Sequence, residues 1–598
     1  MPVNNSQEWS GRTFGNEELL PRVPLPTLEA SCARFLEWCT PLLDTEELAT
    51  TEAAVKAYLA PESPAHELHA ALAAYNESDG VHSWLDTFWP SRYLGRRDRI
   101  ALNANFFFLF KESDEGQLQR AAGLVASAVN YKLMLDEELL PPIVQRGQAH
   151  SMVQHKFLFS ATRIPGEVQD TARTPYTDEW PGPSAERHIV VFFRGATIRM
   201  DVIGPDGVPH SIEDIVAGLD AIMKTTSAPE TSAGHFTTKA RAEWASTRQE
   251  LIANGNAEAL DTIETALFCL CLEDFAPKNT QEACDQLFHG DSGNRWFDKA
   301  VSLIVFADGT AGINVEHCRL DGTTILGFTD TLLGSPAADQ SARSGARSQG
   351  TPAFAPIDFT LTPELRADAS AAQAAFAKYA ADNATSIVSF QDFGATTAKQ
   401  LGMSPDGFVQ MAYQLAHMRT KGLLGATYES IATRQYQNGR TEAMRCVTPE
   451  AVQFVATMED PAADATARRA AFRAAAAKHV ARAKECQLGD APEQHLWELQ
   501  LIQKRRGEVT EPLALYDSPG WTVMRDDYLS TSSAPSYNIQ YFGFGSTSSK
   551  CIGVAYVLLQ DRLNIYLSTP LPVADKMSLF AENLGNALRE LRDLLASE

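Results

Sequence analysis

The sequence predicts an α/β protein built from two domains. The chain has 598 residues, more than one hydrophobic core usually organises, so at least two domains are expected. Helical and strand-like patterns mix in both halves. A stretch of small and polar residues at 334–353 lies between the halves and is typical of a linker or surface loop. We therefore place one domain at 18–350 and the other at 351–598.

The first half begins with a predicted helix and carries strands further along. A proline-punctuated lead-in precedes an amphipathic helix from about Thr27, whose apolar residues recur every three or four positions. Helical patterns then dominate to about residue 150, and the β-branched and aromatic stretch at 187–202 predicts a strand or hairpin. Two apolar runs separated by an Asp-Gly-Thr turn at 308–310 predict a strand, a turn and a second strand. His317 is therefore expected at or just beyond the end of a strand.

The second half repeats the mixture of helices and strands. The segment SPDGFVQMAYQLAHMRTKGLL, residues 404–424, predicts a capped amphipathic helix. The alanine-rich segment 464–487 is helical by propensity. Three strand-like runs follow, SYNIQYFGFG, KCIGVAYVLLQ and RLNIYLST, with turn signals between them. A final amphipathic helix is predicted at about 574–596.

The charge of the chain limits its partners. Lysine and arginine total 51 and aspartate and glutamate total 75, which gives a net charge of −24. Such an acidic surface repels phosphate backbones and anionic lipids, so we expect no nucleic acid or membrane surface as a partner. No apolar run approaches the roughly 20 residues that a membrane-spanning helix needs.

Cysteine usage and the chain termini indicate a cytoplasmic protein. The nine cysteines are scattered and odd in number, which favours reduced thiols over a disulfide framework. Cys269 and Cys271 are close together but lie in an apolar run, which indicates core packing, so no metal site is predicted. The first residues show no signal-peptide pattern, and the C-terminus is not a peroxisomal Ser-Lys-Leu signal.

The segment GINVEHCRLDGT, residues 312–323, is the candidate for catalysis. It places His317 directly after Glu316 and four residues before Asp321. One histidine among thirteen is usually structural, but imidazole is also a suitable general base because its pKa is about 6.5. The sequence has no G-x-S-x-G elbow, P-loop, strand-bound G-x-G-x-x-G or H-E-x-x-H motif. Hydrolase, nucleotide and zinc chemistry therefore have no supporting motif.

Four separated segments resemble the carnitine/choline O-acyltransferases, in that family's order and spacing, across roughly residues 18–595. They are LPRVPLPTLEASCARFLEWCTPLL, GNRWFDKAVSLIVFADGTAGINVEHCRLDGT, SPDGFVQMAYQLAHMRTKGLLGATYESIATRQYQNGRT and YLSTSS. The resemblance implies direct transfer of an acyl group between a thioester and an alcohol, without a covalent enzyme intermediate. It also implies two chloramphenicol-acetyltransferase-like domains, with mixed sheets, surrounding helices and an active-site tunnel between them. An inactive protein that only binds acyl thioesters is the alternative from another class.

The resemblance assigns the catalytic machinery to two motifs. The family's catalytic histidine matches His317, and its nearby acid matches Asp321. Asp321 is expected to orient local structure rather than to relay a proton, and Glu316 is an alternative partner for the imidazole. The family's Ser-Thr-Ser motif matches residues 530–532. Ser532 matches the position whose hydroxyl faces the oxyanion, and Ser530 matches one that faces the acceptor. Thr531, between them, is also expected to belong to the substrate-binding residues.

The acceptor site departs from both branches of the family that the chain resembles. Tyr428 and Thr441 match residues that bind the carboxylate of carnitine, but the arginine of that site is replaced by Gln494. Choline enzymes carry asparagine there and valine in place of the threonine. We therefore expect a neutral polyhydroxylated or small alcohol as acceptor, with carnitine or choline as the alternatives. Tyr93 and Phe544 also match acceptor-side residues, and either could instead be core packing.

The donor site also departs from the family pattern. The family binds the phosphates of coenzyme A with two lysines four residues apart, whereas this chain has Ala395 at the first position and only Lys399 at the second. Asp406 matches a residue at the nucleotide end. No tightly bound cofactor is implied. The donor is expected to be either acyl-coenzyme A or an acyl phosphopantetheine on an acyl carrier protein, as in the product-releasing acyltransferases of fungal reducing polyketide synthases.

Overall fold

The computed structural model describes residues 8–507 and 513–597. Residues 1–7 and 598, on which part of the targeting prediction rests, lie outside this range. The chain forms two compact units, each made of three stretches. The first unit contains the described residues of Met1–Leu20, together with Pro90–Asn383 and Ser536–Gly545. The second contains Pro21–Trp89, Ala384–Pro535 and the described residues of Ser546–Glu598.

Helices occur along the whole described chain. They are α1 Leu28–Cys39, α2 Thr45–Tyr58, α3 Pro64–Asn76, α4 Phe88–Tyr93, α5 Gln117–Asp136, α6 Ile212–Thr225, α7 Arg241–Ala253, α8 Ala257–Thr265, α9 Thr280–Phe288, α10 Gly322–Gly334, α11 Ala337–Arg343, α12 Pro363–Ala381, α13 Ala395–Gln400, α14 Pro405–Lys421, α15 Pro449–Glu459, α16 Ala465–Gln487, α17 Glu493–Arg506, α18 Pro519–Arg525 and α19 Ala574–Ala596. In the part of the chain that the structure describes, no helix has both the length and the hydropathy to cross a bilayer.

Strands build one large sheet in each unit and two small hairpins. They are β1 Phe106–Phe110, β2 Val144–Gln145, β3 Gln148–Ala149, β4 Thr162–Ile164, β5 Thr171–Arg173, β6 His188–Phe193, β7 Ala196–Asp201, β8 Cys269–Leu272, β9 Val301–Val305, β10 Ala311–Val315, β11 Phe354–Pro356, β12 Asn383–Phe390, β13 Thr427–Ala432, β14 Thr441–Arg445, β15 Leu529–Ser533, β16 Ile539–Phe544, β17 Ile552–Leu558 and β18 Leu563–Pro570.

The first unit has an eight-stranded mixed sheet in the order β11-β7-β6-β8-β9-β10-β1-β16. Strands β6, β8 and β9 are parallel to one another, whereas the remaining pairs are antiparallel. Every residue of β1, β6, β8, β9 and β10 is buried, which explains why these strands are apolar runs without alternation. The turn between β9 and β10 needs glycine at 309, because its φ is +87° and a Cβ there would lie 2.0 Å from the Glu115 carbonyl oxygen.

The second unit has a six-stranded mixed sheet in the order β12-β18-β17-β15-β13-β14. Its three central strands, β13, β15 and β17, are parallel. Helices α14, α15, α16 and α19 contribute apolar residues to one core with β15, β17 and β18. Helix α14 is buried on almost every residue from Gly407 to His417, so it is a central helix of the unit.

Several predicted elements are confirmed. Thr27 caps α1 by accepting a hydrogen bond from the Ala30 amide. The stretch 187–202 forms the β6–β7 hairpin, and β9 and β10 flank the predicted turn at 308–310. The terminal helix predicted at 574–596 is α19. The α/β class and the presence of two folded units are therefore correct.

The structure differs from the sequence prediction at segment 334–353. That segment contains helix α11 and belongs to the first unit, and the chain passes to the second unit after Asn383. The buried Gln340 side chain fixes the segment by donating hydrogen bonds to the carbonyls of Thr331, Leu332 and Ser335. A single division at residue 350 also differs from the observed units, because Pro21–Trp89 packs with the second unit and Ser536–Gly545 with the first.

Candidate active site

His317 follows β10 by two residues and is held by a strand that is buried throughout. Strand β10 pairs with β9 on one side and β1 on the other, so its end is fixed from both edges. The His317 side chain keeps 28% of its surface exposed. The prediction that His317 lies just beyond a strand is confirmed, and the residue is partly accessible within its unit.

One backbone contact fixes the tautomer of His317. Its Nδ1 lies 2.6 Å from the carbonyl oxygen of Leu320. A carbonyl oxygen can only accept a hydrogen bond, so Nδ1 carries the hydrogen in this contact. The neutral ring then has its lone pair on Nε2, which is the arrangement that a general base requires.

Asp321 lies beside the same imidazole nitrogen. Its Oδ1 is 3.5 Å from Nδ1 of His317, a distance at which the carboxylate acts mainly through its charge. Gln154 fixes this carboxylate by donating from Nε2 to Asp321 Oδ2 at 2.6 Å. The amide oxygen of Gln154 accepts hydrogen bonds from the Asp321 backbone N–H and the Thr324 hydroxyl. Gln154 could not be predicted from the sequence, because nothing local links it to a residue 167 positions later.

Aromatic rings surround the imidazole. The ring centroids of Tyr93 and Phe106 lie 4.9 and 5.2 Å from that of His317. Phe544 is the cross-strand partner of Phe106, since β16 pairs with β1. The structure therefore places Tyr93 against the His317 ring and Phe544 next to Phe106, one strand further from it. Their role in binding stays a prediction.

A buried network of charges lies behind the candidate base. Glu316 Oε1 lies 3.1 Å from Arg163 Nη1, and both carboxylate oxygens of Glu316 accept from the Cys318 amide. Arg163 also donates to Asp170 Oδ2 and to the Tyr93 carbonyl, both at 2.7 Å. Arg163 thus links the segment that carries His317 to the segment that carries Tyr93.

The network continues to a second arginine and a carboxyl group with an altered pKa. Arg241 lies 2.7 Å from Asp170 and 2.8 Å from Asp298. Burial raises the pKa of Asp298 to about 6, although Arg241 and the hydrogen bond from Trp244 oppose this shift. For Asp170, burial also acts to raise the pKa, but Arg241 and Arg163 outweigh it, so its pKa is lowered.

The predicted Ser-Thr-Ser motif lies on β15 of the second unit. Side chains alternate along a strand, so Ser530 and Ser532 share one face and Thr531 takes the other. Thr531 is fully buried. Its hydroxyl donates to the Tyr428 carbonyl at 2.9 Å and accepts from Gln410 Nε2 at 2.9 Å. The Thr531 hydroxyl is therefore bonded within the protein, and its role in substrate binding stays a prediction. Ser532 is only partly buried.

The predicted acceptor residues of the second unit lie on adjoining elements. Tyr428 on β13 is the cross-strand partner of Ser530 on β15. Gln494, in the first turn of α17, donates from Nε2 to the Thr441 carbonyl at 2.8 Å. Four predicted residues thus lie as two neighbouring pairs in the structure, Tyr428 with Ser530 and Thr441 with Gln494.

The two predicted donor residues differ in their surroundings. Lys399 is exposed on the short helix α13. Asp406, in the first turn of α14, keeps 42% of its side chain exposed but accepts from Tyr556 at 2.6 Å and lies 3.2 Å from His479. His479 and Tyr556 have no sequence signal that links them to Asp406, because they reach it from distant parts of the chain.

Comparison with known proteins identifies the family. The family profile described as choline/carnitine O-acyltransferase matches residues 23–586. Carnitine O-palmitoyltransferase 2, mitochondrial, of Rattus norvegicus is 31% identical over 603 residues, covering 93% of this chain and 89% of that protein. Carnitine O-acetyltransferase of Rattus norvegicus is 28% identical over 604 residues, covering 98% of this chain and 95% of that protein.

One solved structure shows a distant likeness to the chain. The first condensation domain of the calcium-dependent antibiotic synthetase, in complex with a substrate analogue, has a TM-score of 0.37 and 12% identity, and covers 83% of this chain and 92% of its own. That likeness is too low to support a functional argument. The sequence relationship is sufficient: the chain belongs to the choline/carnitine O-acyltransferase family and is an acyltransferase that transfers acyl groups to a hydroxyl.

Proposed function

We propose that the protein moves an acyl group directly from a pantetheine thioester to an alcohol, with His317 as the general base. The observation that carries the proposal is the contact between His317 Nδ1 and the Leu320 carbonyl. Nε2 accepts the proton of the alcohol as its oxygen attacks the thioester carbonyl carbon. When the tetrahedral intermediate collapses, the carbon–sulfur bond breaks and the imidazolium returns the proton to the departing thiolate.

Charge develops at two points in this reaction, and the proposal assigns one group to each. The imidazolium is stabilised by the Asp321 carboxylate, which is 3.5 Å from Nδ1. The oxyanion is stabilised by the hydroxyl of Ser532, since the loss of one oxyanion donor typically costs about 10²–10³ in rate. Ser530 and Tyr428, paired across β13 and β15, are proposed to contact the acceptor, as are Tyr93, which lies beside the imidazole, and Phe544.

The proposed acceptor is a neutral polyhydroxylated or small alcohol. Gln494 is an uncharged amide whose nitrogen is used by the Thr441 carbonyl, so it gives a carboxylate no formal charge to pair with. Arg445, on the same strand as Thr441, has its guanidinium bound to Glu493 and Asp527. The second candidate is carnitine, which is favoured by the names of relatives about 30% identical over nearly the whole chain.

The proposed donor is an acyl phosphopantetheine on an acyl carrier protein, with release of a polyketide or other acyl chain. The support is that one of the two lysines of the family's phosphate-binding pattern is missing. Ala395, buried at the start of α13, takes the first position, and Lys399 remains near the end of that helix. In a protein of net charge −24, fewer cations weaken the binding of the nucleotide phosphates of coenzyme A. Acyl-coenzyme A, the co-substrate of the carnitine enzymes, is the alternative donor.

The base assignment is tested with His317→Ala. We expect turnover of a mass-labelled acyl thioester to fall by about 10²–10⁴, while thioester binding measured by calorimetry is retained. His66→Ala on α3, where the ring lies 3.4 Å from the Leu59 carbonyl oxygen, is the control. Native turnover in His317→Ala would disprove the mechanism, and wild-type binding without turnover would identify a thioester-binding protein instead.

The donor and acceptor are tested by competition. One acyl chain is supplied as its carrier-protein and coenzyme A thioesters, against a panel of carnitine, choline, glycerol and sugar alcohols. The carrier proposal fails if coenzyme A is the better donor by more than tenfold. If coenzyme A is the better donor, Lys399→Ala should reduce its use. Lys56→Ala, which changes an exposed lysine on α2, should not. A preference for carnitine would overturn the neutral-acceptor proposal.

A further inference from the structure

Ser532 lies where the pairing of β15 with β13 ends. Strand β15 pairs with β13 from Leu529 to Thr531, and with β17 as far as Ser533. Ser532 is therefore the first residue beyond the last β13 pair, and it pairs with Ala555 of β17. A group that acts on a reacting atom must be held closely, because a displacement of about 1 Å can cost roughly 10²-fold in rate. The position of Ser532 thus depends on what anchors Thr531.

Thr531 is anchored by a glutamine of α14. Gln410 Nε2 donates to the Thr531 hydroxyl at 2.9 Å, and that hydroxyl donates to the Tyr428 carbonyl at 2.9 Å. The same Nε2 lies 3.3 Å from the hydroxyl of Tyr556, which donates to Asp406 Oδ1 at 2.6 Å. Gln410, Thr531 and Tyr556 are fully buried. One amide nitrogen therefore holds two hydroxyls from the neighbouring strands β15 and β17.

The two ends of this hydrogen-bonded chain fix the direction of every bond in it. The Tyr428 carbonyl and an ionised Asp406 carboxylate can only accept hydrogen bonds. Burial acts to raise the pKa of Asp406, but hydrogen bonds from His479 and Tyr556 outweigh it, so its pKa is lowered. Each hydroxyl therefore gives its hydrogen to one end and accepts at its own oxygen. The group between the hydroxyls must donate twice, which the NH2 of a glutamine does.

The anchor also sets the direction of the neighbouring serine. Side chains alternate along a strand, so Thr531 faces α14 and Ser532 faces the opposite side of the sheet. When Gln410 holds the Thr531 side chain against α14, it holds the backbone from which Ser532 projects. The bond through Tyr556 connects the same point to Asp406, the residue predicted at the nucleotide end of the donor.

We propose that Gln410 and Tyr556 are positioning residues for Ser532. The inference rests on the proposed function, in which the Ser532 hydroxyl stabilises the oxyanion. Gln410 acts through Thr531, and Tyr556 acts by fixing the amide of Gln410. Loss of the amide lets the Ser532 hydroxyl move relative to the thioester carbonyl. The rate of acyl transfer then falls, while the binding of both substrates is unchanged.

Gln410→Met and Gln414→Met form a matched pair that tests the proposal. Gln414 lies one turn later on α14, is equally buried, and donates from Nε2 to Thr427 Oγ1 at 3.0 Å. Both amide oxygens have no partner within the described ranges, so the two variants should lower the melting temperature similarly. We expect Gln410→Met to lower kcat by about 10–10²-fold with unchanged KM for both substrates. Gln414→Met should keep the native kcat, and equal kcat values in the two variants would overturn the proposal.

Tyr556→Phe and Tyr413→Phe form a second pair, which decides the question if Gln410→Met does not fold. Each removes one hydroxyl and keeps the ring. The Tyr413 ring packs against that of Tyr556, and its buried hydroxyl has no partner among the residues that the structure describes. Tyr556→Phe should lower kcat, by less than Gln410→Met because the bond from Gln410 to Thr531 remains. Tyr413→Phe should not lower it, and a native kcat in Tyr556→Phe would contradict the role of Tyr556.

Ser532→Ala distinguishes a failure of this inference from a failure of the proposed function. If Gln410 acts through Ser532, Gln410→Met should have no further effect on kcat in the Ser532→Ala background. An equal loss of kcat in both backgrounds would show a general structural role and overturn the inference. Native turnover in Ser532→Ala would instead remove the oxyanion role from the proposed function. A slow Ser532→Ala together with a native Gln410→Met would overturn the inference alone.

Discussion

At the scale of single residues, the reactivity proposed for His317 depends on which ring nitrogen carries the hydrogen. The Leu320 carbonyl selects Nδ1–H, and Asp321 adds a negative charge beside it. Neither effect is visible in the sequence motif alone. Both depend on the backbone path of residues 318–321, which leads into the helix that begins at Gly322. Gln154 holds the Asp321 carboxylate by donating one hydrogen bond to it, and it holds the start of the helix by accepting from the Asp321 amide and the Thr324 hydroxyl.

Gln154 is therefore predicted to be a positioning residue for Asp321. Gln154→Ala should lower kcat with little change in KM, because a displacement of about 1 Å at a reacting group can cost roughly 10²-fold. If Gln154 acts through Asp321, the effect should disappear in the Asp321→Ala background. The measurement is a double-mutant cycle on kcat, together with the melting temperature of each variant. Independent, additive losses would indicate a general structural role.

Gln494 offers a test of acceptor choice by gain of function. Gln494→Arg introduces a guanidinium next to Thr441, and a hydrogen bond to a charged group contributes about 1.5–3 kcal/mol. We expect kcat/KM for carnitine to rise by about tenfold or more relative to a neutral alcohol. Gln494→Met, which removes the hydrogen bond without adding charge, is the comparison. A rise in carnitine use in both variants, or in neither, would contradict the proposed basis of selectivity.

At the scale of elements, strand β15 carries two neighbouring serines with different surroundings. Ser532 has the proposed catalytic hydroxyl, and Ser533 has an exposed one. Ser532 and Ser533 are adjacent but face opposite sides of the strand. Ser532→Ala should reduce kcat by about 10²–10³ if its hydroxyl stabilises the oxyanion. Ser533→Ala changes an exposed hydroxyl and should leave turnover unchanged. Equal rates for the two variants in single-turnover experiments would remove Ser532 from the mechanism.

Elements with strong local signals could be predicted from the sequence. The cap and apolar spacing of α1, the turn between β9 and β10, and the periodicity of α19 are all encoded within short windows. The segment 334–353 was misread because its small polar residues do not reveal that Gln340 bonds to the end of α10. Strand β1 was missed as a separate element because a continuous apolar run does not distinguish strand from helix.

The candidate site could be predicted only where it coincides with a sequence motif. His317, Asp321 and Ser532 lie in short segments that resemble a family. No such signal marks Arg163, Asp170 or Arg241, because they matter through contacts between distant positions. Asp170 and Arg241 are 71 positions apart, and Arg163 and Glu316 are 153 positions apart. A buried charge network is a property of tertiary structure, and local pattern cannot locate its members.

At the scale of the whole molecule, each unit takes residues from distant parts of the chain. Strand β16 pairs with β1, which is more than 400 positions earlier, and both belong to the first unit. Helices α1 to α3 belong to the second unit, although they precede most of the first. Neither unit is therefore a contiguous piece of sequence, and cutting the chain at residue 350 should give two fragments that do not fold separately.

The stability of the folded chain should depend on pH through Asp298. Its pKa is raised to about 6 by burial, despite Arg241, whereas an unfolded aspartate has a pKa of about 3.9. Between these values the folded state binds more protons than the unfolded state, so the contribution of Asp298 is present below about pH 4 and lost as pH rises through about 6. The loss is on the order of 2–3 kcal/mol.

Asp298→Asn removes this titration but keeps an oxygen that can accept from Trp244. Denaturant unfolding of the wild type and Asp298→Asn is measured from pH 4 to pH 7. We expect the wild type to lose stability relative to the variant across that range, because its carboxyl must ionise in a buried site. Asp178→Asn, at an exposed position in the first unit, should follow the wild type at every pH. If Asp298→Asn and wild type instead run parallel, then Arg241 compensates the buried carboxylate fully and the network carries no pH dependence.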